Sequence, residues 1–303
     1  MKLLLTGAFN YSKEQLDQIK SLGCEILFID DERVSLKVDV TEVDAVVCNC
    51  LFLYQDITDF NNLQLIQLTS AGLDRVPLDY IKEKGIRLFN AGDAYSIPMA
   101  EWAVLKILEI YKKSRYFYKA QDQHRWEKKR DLLELTARKA AIIGLGQVGG
   151  AIASRLKSFR VTITAIDIQK VESEFIDRYC TIEELDEVLG TSDIVILALP
   201  LNTETRHLID AGRIKLMQDH SVLVNLSRGG LIDEAALVAA LQAGKFRGVA
   251  LDVFEEEPLP PESPLWDLER VIITPHNSYM SDRVHERLFG LIINNLKKFK
   301  PRQ

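Results

Sequence analysis

Six residues limit most tightly how this chain can fold: Gly144-Leu145-Gly146-Gln147-Val148-Gly149. They follow the apolar stretch Ala140-Ala141-Ile142-Ile143 and open a segment with Ile152 and Leu156 at helical spacing. The run therefore reads as the turn from a buried strand into a helix. Gly144 permits the tight turn, Gly146 lets a pyrophosphate approach the backbone, and Gly149 allows close helix packing. Gln147 and Val148 belong to the helix N-terminus, whose N–H groups lack intrahelical partners. A dinucleotide is expected here. Asp167 ends the next apolar run, Val161 to Ile166, eighteen residues beyond Gly149. A carboxylate there accepts hydrogen bonds from the adenosine ribose hydroxyls and repels a phosphate on that ribose, which favours NAD over NADP, although Lys170 nearby acts in the opposite sense.

Apolar runs alternate with helical patterns along the rest of the chain. The first series is Leu3-Leu5, Ile26-Ile29, Ala45-Cys48, Leu65-Leu68 and Ile86-Phe89, with a helix opening at the capping-box pattern Ser12-Lys13-Glu14-Gln15 and stopping near Gly23. The second is Ala140-Ile143, Val161-Ile166, Ile194-Leu199, Val222-Leu226, Val249-Val253 and Val271-Thr274. Six strands suit a doubly wound sheet. A long helix is expected from Met99 to about Tyr118, and another from Ser281 to Lys300 with Leu288, Leu291, Ile292 and Leu296 on one face. The expectation is α/β, with two doubly wound parallel-sheet domains. One is discontinuous, residues 1–97 and 280–303, and residues 98–279 form the dinucleotide-binding domain.

A length of 303 residues with 47% in the hydrophobic set is enough for two cores. Lys+Arg 38 against Asp+Glu 44 leaves a net charge of −6, which argues against nucleic acid as a partner. The basic cluster Lys112, Lys113, Arg115, Lys119 and Arg125 to Arg130 is interrupted by Glu127 and Asp131, so it reads as a solvated surface. Met1-Lys2-Leu3-Leu4-Leu5 is too short for a signal-peptide core, and the run from Ile194 stops at Pro200. A cytoplasmic protein with no membrane partner is expected. Cys24, Cys48, Cys50 and Cys180 show no zinc-site spacing, so no metal is expected and the thiols read as reduced packing residues.

Ligands of open α/β sheets bind outside the carboxyl ends of the strands. Arg228 follows the run Val222-Leu226, Glu257 follows Val249-Val253, and His276 follows Val271-Thr274. Singly, each has a bland reading: a turn arginine, one member of the acidic run Glu255-Glu256-Glu257, a packed histidine. Together, beside a dinucleotide motif, they match an acid/base residue, its carboxylate orienter and a cation for an anionic substrate. His124, His207, His220 and His285 lack such a context, Glu101 reads as structural, and Trp126 either closes over a crevice or anchors its loop.

These residues carry a resemblance that spans nearly the whole chain. Besides the glycine run, it rests on Leu199-Pro200-Leu201-Asn202-Thr203-Glu204-Thr205, Val224-Asn225-Leu226-Ser227-Arg228-Gly229-Gly230-Leu231-Ile232-Asp233 and Leu251-Asp252-Val253-Phe254-Glu255-Glu256-Glu257-Pro258. Ser263-Pro264-Leu265-Trp266 and Ile273-Thr274-Pro275-His276 complete it. The sequence resembles the D-isomer-specific 2-hydroxyacid dehydrogenases. The resemblance implies a flavodoxin-like substrate domain and a Rossmann NAD-binding domain, usually in a homodimer, with Arg228, Glu257 and His276 as the catalytic set. It also implies Asp252 near the nicotinamide carboxamide, and backbone N–H groups of Ser70, Ala71 and Gly72 on the substrate carboxylate. Asn277-Ser278 after His276, Arg75 after the Ala71-Gly72 turn, and the segment from Gly92 to Met99 depart from the common pattern. The substrate side chain is therefore left open among 2-oxo acids such as glyoxylate, hydroxypyruvate and phosphohydroxypyruvate. In the expected reaction, His276 protonates the carbonyl oxygen of a 2-oxo acid, Glu257 stabilises the imidazolium, and Arg228 binds the carboxylate. The competing class is an NADH-sensing binding protein of the corepressor type, since fold alone does not dictate activity.

Overall fold

The computed structural model describes residues 1–299, so the last residue of the helix expected to reach Lys300, and the end of the segment 280–303, lie outside the described residues. The chain forms two compact units, Met1–Tyr95 with Ser281–Gln303, and Ser96–Met280.

The first unit contains β1 (Lys2–Thr6), α1 (Lys13–Lys20), β2 (Glu25–Ile29), β3 (Ala45–Cys48), β4 (Leu65–Leu68), α2 (Leu78–Lys84) and β5 (Arg87–Phe89). Ser12 caps α1 by accepting the Gln15 N–H, and the Gln15 side chain accepts the Ser12 N–H in return. The strands are parallel in the order β2-β1-β3-β4-β5, a flavodoxin-like arrangement.

The second unit contains α3 (Ser96–Tyr111), α4 (Ser114–Asp122), β6 (Lys139–Ile143), α5 (Gln147–Ser158), β7 (Thr162–Ile166), β8 (Arg178–Cys180), α6 (Leu185–Thr191), β9 (Ile194–Leu197), α7 (Ala211–Leu216), β10 (Val222–Asn225), α8 (Glu234–Gln242), β11 (Gly248–Leu251) and β12 (Val271–Ile273). Its sheet is parallel, ordered β12-β11-β10-β9-β6-β7-β8, which is the Rossmann order extended by one strand. The last helix, α9 (Val284–Lys298), belongs to the first unit. Its Leu288, Ile292 and Leu296 pack with Leu3 and Leu5, while Leu4 faces the opposite core with Val46 and Ile66. Alternation along β1 thus feeds both layers.

Two expectations need correction. The second sheet has seven strands, because the three-residue edge strand β8 is too short to show a period and betrays itself only through buried Cys180. The helix expected through Tyr118 breaks after Tyr111, with Lys113 in the left-handed region at φ 53. The Tyr111 carbonyl accepts the Leu133 N–H (3.1 Å), Lys112 Nζ donates to the Leu133 carbonyl (2.7 Å), and Lys113 pairs with Asp131. A contact some twenty residues downstream therefore ends the helix. No helix among the described residues is long and apolar enough to cross a membrane.

Candidate active site

The register of the second sheet puts Ile166, Ile143, Leu197, Asn225, Leu251 and Ile273 in one row across six adjacent strands. Each of these is the last residue of its strand. The loops carrying Asp167, the glycine run, Arg228, Glu257 and His276 therefore leave from a single carboxyl edge.

At the glycine turn, Gly144 has φ +95, and a Cβ there would lie 2.5 Å from the Ala198 carbonyl oxygen. A Cβ on Gly149 would lie 2.0 Å from the Gly144 oxygen, so both positions are closed to side chains. At Gly146 a Cβ would meet nothing within 4 Å. Gly146 is also the N-cap of α5 and offers no side-chain cap. Open space above uncapped helical N–H groups fits a pyrophosphate. Gln147 is exposed at this end and Val148 packs into the core beneath it. Asp167 Oδ2 accepts the Leu145 N–H (2.6 Å) and Oδ1 the Gln169 N–H (3.3 Å), so the carboxylate also braces the turn.

Arg228 stands three residues beyond β10 and is half-buried. Fully buried Asn225 shapes its loop: Nδ2 donates to the Arg228 carbonyl (2.9 Å), and Oδ1 accepts the Ser227 N–H (3.2 Å). The guanidinium Nη1 donates to the Ser227 carbonyl (2.8 Å). The next residue, Gly229, has room for no side chain, because its Cβ would lie 1.9 Å from the Phe254 carbonyl carbon. Two loops, one bearing Arg228 and one bearing Glu257, meet at that contact. Asn225 and Gly229 were not singled out as functional from sequence; an Asn closing an apolar strand before Ser-Arg-Gly-Gly is the only local signal.

Glu257 and His276 form the centre. Glu257 Oε2 lies 2.8 Å from His276 Nδ1, and Oε1 accepts the Phe254 N–H at 3.0 Å. Partial burial raises the Glu257 carboxyl, but the His276 and Phe254 hydrogen bonds and the charges of His276 and Arg228 outweigh it and hold the group below the usual carboxylate range. With Nδ1 turned to Glu257, Nε2 is the ring atom left for a reacting group. The His276 backbone is in the left-handed region at φ 50, and its N–H donates to the carbonyls of Asp252 (2.8 Å) and Thr274 (3.0 Å).

Asp252, fully buried, accounts for that conformation. Its Oδ1 accepts from the Thr274 hydroxyl and the Asn277 N–H (2.9 Å), and its Oδ2 from the Ser278 N–H (2.9 Å). The carboxylate thus holds the Thr274 side chain before His276 and the backbone after it.

In the first unit, Ser70, Ala71 and Gly72 follow the carboxyl end of β4. The loop is tied down by the Ser70 hydroxyl on the Gly72 carbonyl (3.1 Å) and by Asn90 Nδ2 on the Ala71 carbonyl (2.6 Å).

The other sequence candidates are placed elsewhere. Trp126 is 95% exposed, so it does not anchor its loop. His207 pairs with Glu255 (2.5 Å), and His285 stacks on Phe9 with ring centroids 4.2 Å apart. Glu101 pairs with Arg155 (3.6 Å). In the basic cluster, Lys119 pairs with Glu269, Arg125 with Glu127, and Lys129 lies over the Tyr116 ring. Among the described residues no His, Cys, Asp and Glu gather as a metal site.

The family model for the D-isomer specific 2-hydroxyacid dehydrogenase NAD binding domain matches residues 104–278. The chain belongs to this family. D-3-phosphoglycerate dehydrogenase of Archaeoglobus fulgidus is 32% identical over 299 residues, covering 97% of this chain and 56% of the relative. The chain thus spans little more than half of that protein's length. Glyoxylate reductase of Thermofilum pendens is 32% identical over 87% of this chain and 80% of its own. Among solved structures of the family, a glyoxylate reductase from Paecilomyes thermophila superposes with a TM-score of 0.86 at 27% identity, covering 98% of this chain and 94% of that one.

Proposed function

We propose that the chain reduces a 2-oxo acid to a D-2-hydroxy acid with NADH. The observation carrying this reading is the His276–Glu257 pair, 2.8 Å apart, on the carboxyl edge that also bears the glycine turn. NADH, when bound, supplies the hydride for the carbonyl carbon. Residues 98–279 would hold it, with Gly144, Gly146, Gln147, Val148 and Gly149 at the pyrophosphate and Asp167 at the adenosine ribose, while Asp252 secures the loop on the nicotinamide side. Residues 1–97 and 280–303 would supply the substrate domain, Ser70, Ala71 and Gly72 offering N–H groups to the substrate carboxylate.

His276, protonated, gives the Nε2 proton to the carbonyl oxygen as negative charge develops there. Glu257 accepts the Nδ1–H throughout, so the imidazolium is stabilised before transfer and the ring keeps its orientation afterwards. Arg228 pairs with the carboxylate and polarises the carbonyl through charge-assisted bonds. Oxidation runs through the same groups in reverse. The four free thiols suit a reducing cytoplasm, and exposed Leu105, Tyr118 and Trp126 suit a homodimer.

The test is NADH and NADPH oxidation by the purified protein with a panel of 2-oxo acids, beside His276→Ala. NADH-dependent turnover lost in the variant, with NADH affinity kept, is expected. Turnover retained without the imidazole refutes the acid role; NADH binding without turnover across the panel indicates an NADH-sensing protein.

A further inference from the structure

Three loops of the second unit meet at Phe254-Glu255, just short of Glu257. The loop after β10 presses on this dipeptide at Gly229, where a Cβ would lie 1.9 Å from the Phe254 carbonyl carbon. Glu234, the first residue of α8, accepts the Glu255 N–H with its Oε2 at 3.2 Å. The loop after β9 brings in His207, whose Nε2 lies 2.5 Å from Glu255 Oε1. An ionised carboxylate only accepts, so Nε2 carries the shared hydrogen. His207 is itself fixed. Its backbone is in the left-handed region at φ 50, its N–H donates to the Gly230 carbonyl (2.8 Å), and the Ile209 N–H donates to the Leu231 carbonyl (3.0 Å). Asn202 Oδ1 closes the start of the same loop by accepting the Glu204 and Thr205 N–H groups (2.8 and 2.9 Å).

Stability does not explain Glu255. Burial, and then the charges of Glu255 and Glu256, push the Glu234 carboxyl up, while the Glu255 N–H bond pulls the other way. Three carboxylates, Glu234, Glu255 and Glu256, thus repel one another beside His207. The His207 and Glu255 side chains are 38% and 36% exposed, and a pair so open to solvent adds little net stability. What it provides is position. Glu255 is one residue beyond Phe254, whose N–H holds Glu257 Oε1 at 3.0 Å, while Glu257 Oε2 faces His276 Nδ1 at 2.8 Å. The other charges acting on Glu257 are those of His276 and Arg228, and neither bears on the backbone at Phe254.

We propose that Glu255 is a positioning residue for the reduction: held by His207 and Glu234, it keeps the Phe254 N–H on Glu257 and so keeps Glu257 facing His276. This rests on the reductase reading above, in which the His276 imidazole gives the proton. The hold on Phe254 is a property of the loop and is measurable by itself.

The experiment compares wild type with Glu255→Ala, Glu255→Gln, His207→Asn and the double variant His207→Asn/Glu255→Ala. Glutamine keeps an acceptor for His207 Nε2 without the charge, and asparagine tolerates the left-handed backbone but ends short of Glu255. Loosening the loop by about 0.5 Å, half of the misplacement that costs roughly 10²-fold, should lower kcat about 10-fold in Glu255→Ala, with KM for the 2-oxo acid and NADH affinity within about twofold. The alkaline fall of kcat should begin at lower pH, because the imidazolium loses part of its partner. Glu255→Gln should recover most of the rate, His207→Asn should match Glu255→Ala, and the double variant should lose no more than either single one. A Glu255→Gln protein as slow as Glu255→Ala makes Glu255 a charge and not a hold, which overturns the proposal. An unchanged kcat in Glu255→Ala, a loss expressed in KM, or losses that multiply in the double variant overturn it too. If no 2-oxo acid is reduced, the reductase reading fails on its own, and amide hydrogen exchange at Phe254 decides. Faster exchange in Glu255→Ala and His207→Asn but not in Glu255→Gln supports the hold; equal protection in all of them overturns it.

Discussion

Replacing Gly229 with Ala should damage catalysis without touching a reacting group. Its added Cβ would lie 1.9 Å from the Phe254 carbonyl carbon, 2.0 Å from the carbonyl oxygen and 2.4 Å from the Glu255 nitrogen, all of them backbone atoms that no rotamer change can move. Relief to an ordinary contact of 3.4 Å needs about 1.5 Å of separation between the two loops. One loop carries Arg228, and the other carries Glu257, whose Oε1 is tied to the Phe254 N–H at 3.0 Å. The displacement is therefore passed to both partners of the reacting group. Misplacement by about 1 Å costs roughly 10²-fold, so kcat/KM should fall by at least about 10², equivalent to about 3 kcal/mol of lost transition-state stabilisation. The steric cost to folding should be about 1–3 kcal/mol, which a domain of ordinary stability survives. Steady-state kinetics with saturating NADH, NADH fluorescence titration and urea unfolding separate these effects. NADH affinity should hold, because the glycine run from Gly144 is untouched. A folded Gly229→Ala protein with kcat/KM within about threefold of wild type, a difference under 1 kcal/mol, would refute the reasoning.

Glu257→Gln should change how stability depends on pH. A carboxyl held below its ordinary value near 4.5 adds stability above that value and loses it as pH falls through the folded-state value. The gap between wild type and Glu257→Gln in urea unfolding should therefore be widest near neutrality and shrink as pH falls below 4.5; a gap constant down to about pH 3 contradicts the assigned charge state. Two glycines of the turn, Gly146 and Gly149, should separate folding from binding. Gly146→Ala, with open space around its Cβ, should leave urea unfolding unchanged but weaken NADH binding measured by fluorescence. Gly149→Ala, 2.0 Å from the Gly144 oxygen, should lower the unfolding midpoint as well. Equal effects of the two on stability would mean that the turn is not built as described.

What could be read from the sequence follows from the range over which each feature is determined. β6, the glycine turn and the start of α5 lie within a dozen residues, so periodicity and turn chemistry sufficed. The break after Tyr111 is set by Leu133 and Asp131, and neither Gly nor Pro marks it. The strand β8 is three residues long at a sheet edge, below the length at which alternation shows. Gly229 is needed because of Phe254, and no local pattern reports that contact.

The candidate site was legible despite being spread over more than a hundred residues, because a parallel sheet turns sequence offset into position. When Ile143, Leu197, Asn225, Leu251 and Ile273 end their strands in one row, a reactive residue a few positions past each strand is constrained to the same edge. That reasoning places Arg228, Glu257 and His276 together, but it does not orient their side chains. Orientation comes from groups that point inward: Asn225 on the Arg228 loop, and Asp252 on the Thr274 hydroxyl and the backbone N–H groups of Asn277 and Ser278. Both are strand-end polar residues that are fully buried, and burial is what makes their bonds obligatory. Asp252 could be carried over from sequence as a cofactor neighbour, yet its three acceptor contacts make it the group that fixes the His276 backbone. Polar residues at the ends of buried parallel strands therefore carry two kinds of information, the position of the site and the conformation of the loop that leaves it, and only the first is readable without coordinates.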